Sequence, residues 1–423
     1  MTPPRTIAQA SCADDYDPNS MPVAKAREFI HQFLTPLSGI VRLPIRSALG
    51  RVLAEDLISP VNVPAHRNSA MDGWALRSDD LEGNGAATLT EIGTSFAGQP
   101  YGGNVAKGQC VRIFTGGVVP EGADSVVMQE RATATGKNIA IAPGVKKGQH
   151  VRHPGEDLQQ GAIALAKGRL LRPAELGLLA SLGIGDVAVY RPLRVAFFST
   201  GDELRSVGST LGAGQIYDSN RYTLHGMLVR LGCEVMDMGV VRDELALLEQ
   251  AFKDAAANAD VVITSGGVSV GEADFVKQLM EKLGEVVFWK IAMKPGRPLA
   301  YGKIGGAHFF GLPGNPVSVM VTFYQFVREA LLTLQGVAPL PQLPIFKAIC
   351  TSAIKKARGR TEFQRGVLSA DSNGVWSVRT TGEQGSGILK SMSDANCFII
   401  LGDDVGNVDA GVVVEVQVLE GLI

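Results

Sequence analysis

Asp260-Val261-Val262-Ile263-Thr264-Ser265-Gly266-Gly267-Val268-Ser269-Val270-Gly271-Glu272-Ala273-Asp274 reads as a strand, a glycine-rich loop and the start of a helix. Asp260–Thr264 lacks the alternation of a half-exposed strand, which is the pattern of a strand buried on both faces of a sheet. The glycines let successive backbone N–H groups turn toward one point, and the helix that follows adds its dipole. Such a loop suits an anion, so Ser265, Gly266, Gly267 and Ser269 are candidate phosphate contacts. The spacing matches neither a Walker A loop nor G-x-G-x-x-G, and a βα turn that binds nothing stays open.

Outward from this stretch, strands and helices alternate. Arg194–Ser199 reads as a strand, Asn220–Leu231 as a helix, Glu234–Val241 as a strand and Asp243–Ala257 as a helix. Ala273–Leu283 is a predicted helix, Val286–Ile291 and His308–Leu312 are predicted strands, and Val317–Leu334 is a long helix. This rhythm predicts an α/β unit over residues 191–337, with a mostly parallel sheet covered on both faces. Ligands of such sheets bind beyond the carboxyl ends of the strands. Those ends carry Glu203, Asp243 and Asp274, the cations Lys290, Lys294 and Arg297, and the loop containing Pro313 and Asn315. Carboxylates with substrate phosphates are a usual ligand set for Mg²⁺, and clustered cations suit a small oxyanion. Taken singly, Glu203 and Asp243 serve equally well as helix caps or surface charges.

The flanks differ in texture. Residues 21–60 and 157–190 predict a helical N-terminal domain, with helices at Pro22–Leu34, around Ser47–Leu53 and at Leu170–Leu182 packing together. Residues 61–156 read as an inserted small β domain, with runs at Ala87–Ile92, Gln109–Phe114, Ser125–Gln129 and Asn138–Ile141. Residues 338–423 follow a Pro-rich linker and predict a C-terminal β-barrel-like module.

Composition narrows the class. The 423 residues carry a net charge of -2, so no global basic field favours nucleic acid. The 50 glycines cluster between apolar runs without a collagen-like period. Five cysteines in no C-x-x-C pair point to a reducing, cytoplasmic setting. No signal-peptide pattern and no run of about 18 apolar residues is apparent, so no membrane association is expected. The six histidines lack H-x-x-x-H spacing, which disfavours catalytic zinc.

Several blocks in order carry a resemblance. Ser69-Ala70-Met71-Asp72-Gly73, Thr115-Gly116 through Val126-Val127, Gly155-Glu156-Asp157, Ser265 through Asp274, and Gly311 through Ser318 closely resemble the molybdopterin molybdenumtransferase family, known as MoeA, and the gephyrin E domain. The likeness spans roughly residues 22–420. It implies a homodimer that inserts molybdate into adenylylated molybdopterin with Mg²⁺ and releases AMP. It also implies small-molecule substrates and contact with other molybdenum-cofactor biosynthesis proteins. Glu203 and Asp274 match positions associated with the metal and adenylate phosphates. Asp72, Asp157 and Asp243 match further functional carboxylates. Lys290, Lys294, Arg360 and Ser386 match molybdate and cofactor positions, and Thr115 and Arg152 match the facing side of an intersubunit cleft. A molybdopterin adenylyltransferase consuming ATP, or a non-catalytic scaffold, remain competing readings.

Overall fold

The computed structural model describes residues 7, 20–37, 39–81, 87–267, 279–280 and 282–419. The α/β unit is built on six strands: β1 (Arg194–Thr200), β2 (Glu234–Val241), β3 (Val261–Ser265), β4 (Gly284–Lys290), β5 (Pro298–Ile304) and β6 (Ala307–Leu312). They lie in the order β2-β1-β3-β6-β5-β4. The β2–β1, β1–β3 and β3–β6 pairings are parallel, whereas β6–β5 and β5–β4 are antiparallel. The sheet is therefore mixed. Its antiparallel edge arises from β5, whose Pro298 start and Gly302 hid it from the periodicity, and which forms a tight hairpin with β6 through Gly305-Gly306.

Among the described residues, helices α1 (Ser219–Arg230), α2 (Leu245–Asn258) and α3 (Pro316–Leu334) pack on the sheet. Alternate side chains of the buried strands separate to opposite faces. Val195, Phe197 and Ile263 pack with Leu224 and Met227 of α1 and Val317 and Phe323 of α3. Ala196, Phe198 and Val262 pack instead on Leu248 and Phe252 of α2. The predicted helix at Ala273–Leu283 lies mostly outside the described residues. The helix α3 has a mean hydropathy of 1.2, enough by length and composition to cross a membrane, contrary to expectation. It is 89% buried, so its apolar surface belongs to the core.

The N-terminal expectations need two corrections. Helix Val23–His31 does not join helix Pro173–Ser181; its Ala26, Phe29 and Ile30 pack into the α/β core. Around Ser47–Leu53 there is no α-helix, only a three-residue 3-10 turn at Ile45–Ser47. Val52 and Leu53 make isolated bridges to Leu170 and Val189. Gly50, at φ +74°, interrupts the helical run, and the β-branched Val52 suits an extended backbone. Helix Pro173–Ser181 packs through Leu179 on Ala48, Leu53, Leu165 and Val187, while Ile40–Pro44 pairs antiparallel with Asp186–Tyr190.

Between residues 73 and 141 a six-stranded sheet forms that includes Gly73–Leu76, Ala87–Ser95, Gln109–Ile113 and Ser125–Met128. At the other end, Thr361–Ala370, Trp376–Thr380, Ile345–Cys350, Val413–Val418 and Cys397–Leu401 pair in sequence, and the last pairs back with the first. The result is a closed five-stranded barrel, which leaves no free sheet edge.

Candidate active site

Two cavities adjoin at the carboxyl ends of the parallel strands. The first, of about 500 Å³, is lined by Thr200, Glu203, Asp218, Asn220, Asp243, Ser265, Gly266 and Gly267, among others, and by Gly314 and Asn315. The second, of about 310 Å³, is lined by Lys294, Arg297, Pro313, Arg360, Gln384 and Ser386, and shares Gly314 and Asn315. The shared loop follows β6 and leads into α3, whose first residue is Pro316.

The two cavities differ in charge. Among the described residues, the lining of the first includes Glu203, Asp218 and Asp243 and no lysine, arginine or histidine. The second includes three cations and no carboxylate. Behind it, the buried Glu362 of the barrel lies 3.5 Å from Lys294 Nζ, and Gln364 donates to its other oxygen at 2.9 Å. Strand pairing between Met293–Lys294 and Thr361–Glu362 sets that contact.

Close packing shapes the first cavity. Gly266 has φ +93°, and a Cβ there would lie 2.5 Å from the Thr200 carbonyl oxygen. Asn220 Nδ2 donates to Ser265 Oγ at 2.7 Å and to the Gly314 carbonyl at 2.6 Å. That side chain ties the ends of β3 and β6 to α1. Asp218 caps α1, accepting from the Arg221 amide at 3.2 Å.

The structure thus brings together Glu203, Asp243, Ser265, Gly266 and Gly267 on one side, and Lys294, Arg297, Pro313, Arg360 and Ser386 on the other, with Asn315 between. Lys290 lines neither cavity: it ends the edge strand β4, and its carbonyl accepts from the Met21 amide at 3.0 Å. The intervening turn sends Lys294 to the barrel while Lys290 stays on the sheet. Ser269 and Asp274 lie outside the described residues.

Asp72, Thr115, Arg152 and Asp157 line neither cavity within one chain. Asp72 and Thr115 form their own pair: Asp72 Oδ1 accepts from both the amide and the hydroxyl of Thr115 at 2.7 Å. Those hydrogen bonds hold the Asp72 carboxyl below the usual carboxylate range. Arg152 sits in a short pairing with Asn68, and Asp157 is exposed, its amide donating to Val63.

Sequence reading missed Arg365. It is 1% exposed and donates to Ser391 Oγ at 2.9 Å and to the carbonyls of Gln384 and Gly385 at 3.2 and 2.9 Å. These bonds anchor the loop that carries Ser386. Burial brings the guanidinium down to about 10. A charged residue inside a strand pattern was the available signal. Burial likewise pushes the thiols of Cys110 and Cys233 up to about 12, as befits core residues.

Residues 21–183 match the family model of the MoeA N-terminal region (domain I and II). Residues 196–333 match a probable molybdopterin binding domain, and residues 347–419 the MoeA C-terminal region (domain IV). The chain is 48% identical over 376 residues to the molybdopterin molybdenumtransferase of Haemophilus influenzae, covering 89% of this chain and 93% of that one. The chain belongs to the MoeA family. Other MoeA relatives include molybdopterin molybdenumtransferase 2 of Mycobacterium tuberculosis, 34% identical over 89% of this chain and 94% of its own. The gephyrin of Dictyostelium discoideum is 34% identical over 94% of this chain and 62% of its own length. A crystal structure of the MoeA protein from Pyrococcus horikoshii superposes with a TM-score of 0.82 at 29% identity, covering 95% of this chain and all of the other.

Proposed function

We propose that this MoeA-family chain is a transferase of molybdenum-cofactor biosynthesis, placing molybdenum on the dithiolene of molybdopterin. The observation that carries the reading is the pair of adjoining cavities of opposite charge around Gly314 and Asn315. Molybdate is a dianion, and the Lys294, Arg297 and Arg360 cavity offers preorganised positive charge for it. Pro313, Asn315 and Ser386 shape the wall against which it rests. Adenylylated molybdopterin occupies the first cavity and reaches the second across the shared loop.

The first cavity fits a hard divalent cation such as Mg²⁺. Among the described residues no three carboxylates, histidines or cysteines group closely enough to hold a metal ion by themselves, so the cation would take its remaining oxygens from the substrate phosphates. Glu203, with Asp274 and Asp243, would hold the cation. The bound cation offsets charge on the phosphates and on departing AMP. Without it, phosphates would face carboxylates with no lysine or arginine in the described lining. Ser265, Gly266, Gly267 and Ser269 orient the phosphates, and Lys290 contributes longer-range positive charge from the sheet edge.

A homodimer accounts for Asp72, Thr115, Arg152 and Asp157. These residues sit on the N-terminal half and meet neither cavity of their own chain, so we place them opposite the cavities of a second copy. The Asp72–Thr115 pair then presents a fixed carboxylate to the cleft.

Incubating the pure protein with adenylylated molybdopterin, Mg²⁺ and molybdate tests the reading. Release of AMP with protein-bound molybdenum is expected, and it should be lost in Asp274→Ala. ATP consumption with pyrophosphate release, and no molybdenum transfer, would sink it in favour of an adenylyltransferase. Sedimentation at a mass near twice 44.7 kDa is expected for the dimer.

A further inference from the structure

A carboxylate stands behind the cationic cavity, where an anion site has no evident use for one. Glu362 is 3% exposed, and the pairing of Met293–Lys294 with Thr361–Glu362 sets its place beside Lys294. Its Oε1 lies 3.5 Å from Lys294 Nζ, and its Oε2 accepts from Gln364 Nε2 at 2.9 Å. Lys356, also buried, spends its ammonium on the carbonyls of Val405 and Ala357 at 2.7 and 3.2 Å. Among the described residues, Lys294 is the cation that Glu362 contacts.

That contact is looser than a charge-assisted hydrogen bond of about 2.7–2.9 Å. The Lys294 side chain is half exposed and ends a flexible four-carbon stem. Its ammonium can therefore meet an oxyanion in the cavity while staying in the field of Glu362. Stability alone does not call for the carboxylate, because a buried ion pair seldom outperforms apolar packing of the same volume. Charge balance does. Lys294, Arg297 and Arg360 line the cavity, and Glu362 brings their net charge from three to two, the magnitude carried by one molybdate. The oxyanion has to leave these cations for the dithiolene. Attraction that acts only on the waiting oxyanion deepens the ground state and slows its departure.

We propose that Glu362 acts through Lys294 as a positioning residue of the oxyanion cavity. It holds the ammonium at the wall and offsets its charge, so that molybdate binds loosely enough to be passed on. This rests on the reading that the second cavity takes molybdate.

Equilibrium dialysis of the full chain against molybdate, with bound molybdenum measured by elemental analysis, provides the readout, together with steady-state transfer. Glu362→Gln keeps the shape and removes the charge. It should tighten molybdate binding about threefold to tenfold and lower KM and kcat together, which a merely structural role would not do. Glu362→Asp keeps the charge and should stay within about twofold of wild type. Lys294→Gln should weaken binding about tenfold or more, since it leaves Glu362 as an uncompensated negative charge. Adding Glu362→Gln to it should recover part of that loss, and this neutral pair decides the matter if Glu362→Gln alone folds poorly. Wild-type or weaker binding by folded Glu362→Gln, or no recovery in the double variant, overturns the role of Glu362 and leaves the oxyanion reading standing. No saturable molybdate binding by wild type, or unchanged binding in Lys294→Gln, overturns both.

Discussion

At the scale of single residues, geometry assigns chemistry that residue type does not. Asp72 beside Gly73 has the look of an ordinary turn pair, yet two donors from Thr115 converge on one of its oxygens. Replacing Thr115 by Val removes the hydroxyl donor and keeps the amide. The Asp72 carboxyl should then titrate closer to its ordinary value, as NMR of its side chain would show. Gly266 is a second case. Its φ of +93° disfavours any side chain, and the Thr200 carbonyl occupies the space a Cβ needs. Gly266→Ala should cost about 1–3 kcal/mol by denaturant unfolding. Neither contact was visible in the sequence, since Asp72 and Thr115 lie 43 positions apart.

At the scale of elements, periodicity located some strands and missed others. Glu234–Val241 and Asn138–Ile141 form as strands at the predicted limits. It failed at β5, where proline and glycine mask a strand held by its hairpin partner, and at Ser47–Leu53, where tertiary bridges outweigh helical spacing. Two elements also carry acid sensitivity. His308 in β6 is 5% exposed, and burial with nearby Lys303 brings its imidazole down to about 4. The unfolded chain takes up that proton below about pH 6.5, so stability falls as pH drops from 6.5 to 4, by on the order of 3 kcal/mol. Glu175 at the start of helix Pro173–Ser181 is held at about 2 by hydrogen bonds from Arg172 and Arg169. Its contribution is complete above the ordinary glutamate range and is lost as pH falls toward 2. Urea unfolding between pH 7 and 3 should show both losses, and His308→Gln should flatten only the upper one.

At the scale of the molecule, the proposed function depends on two compartments that meet at one loop. The cations of the second cavity come from Met293–Lys294, the following turn and the barrel approach at Arg360, so the site exists only when barrel and sheet are docked. Lys294→Gln should raise the KM for molybdate about tenfold or more while the KM for adenylylated molybdopterin is retained; an equal rise in both would show that the compartments are not separate. The sequence alone determined the α/β rhythm of residues 191–337, the barrel-like end, the family, and the list of residue types able to handle phosphate, metal and oxyanion. Local pattern suffices for these because hydrophobic period and turn chemistry are short-range properties. Only the tertiary structure decided that Lys294 and Arg360 share a cavity while Lys290 does not, that helix Val23–His31 serves the α/β core, and that Glu362 lies buried against Lys294. Those facts depend on which distant segments exclude water from one another, and no local spacing encodes that.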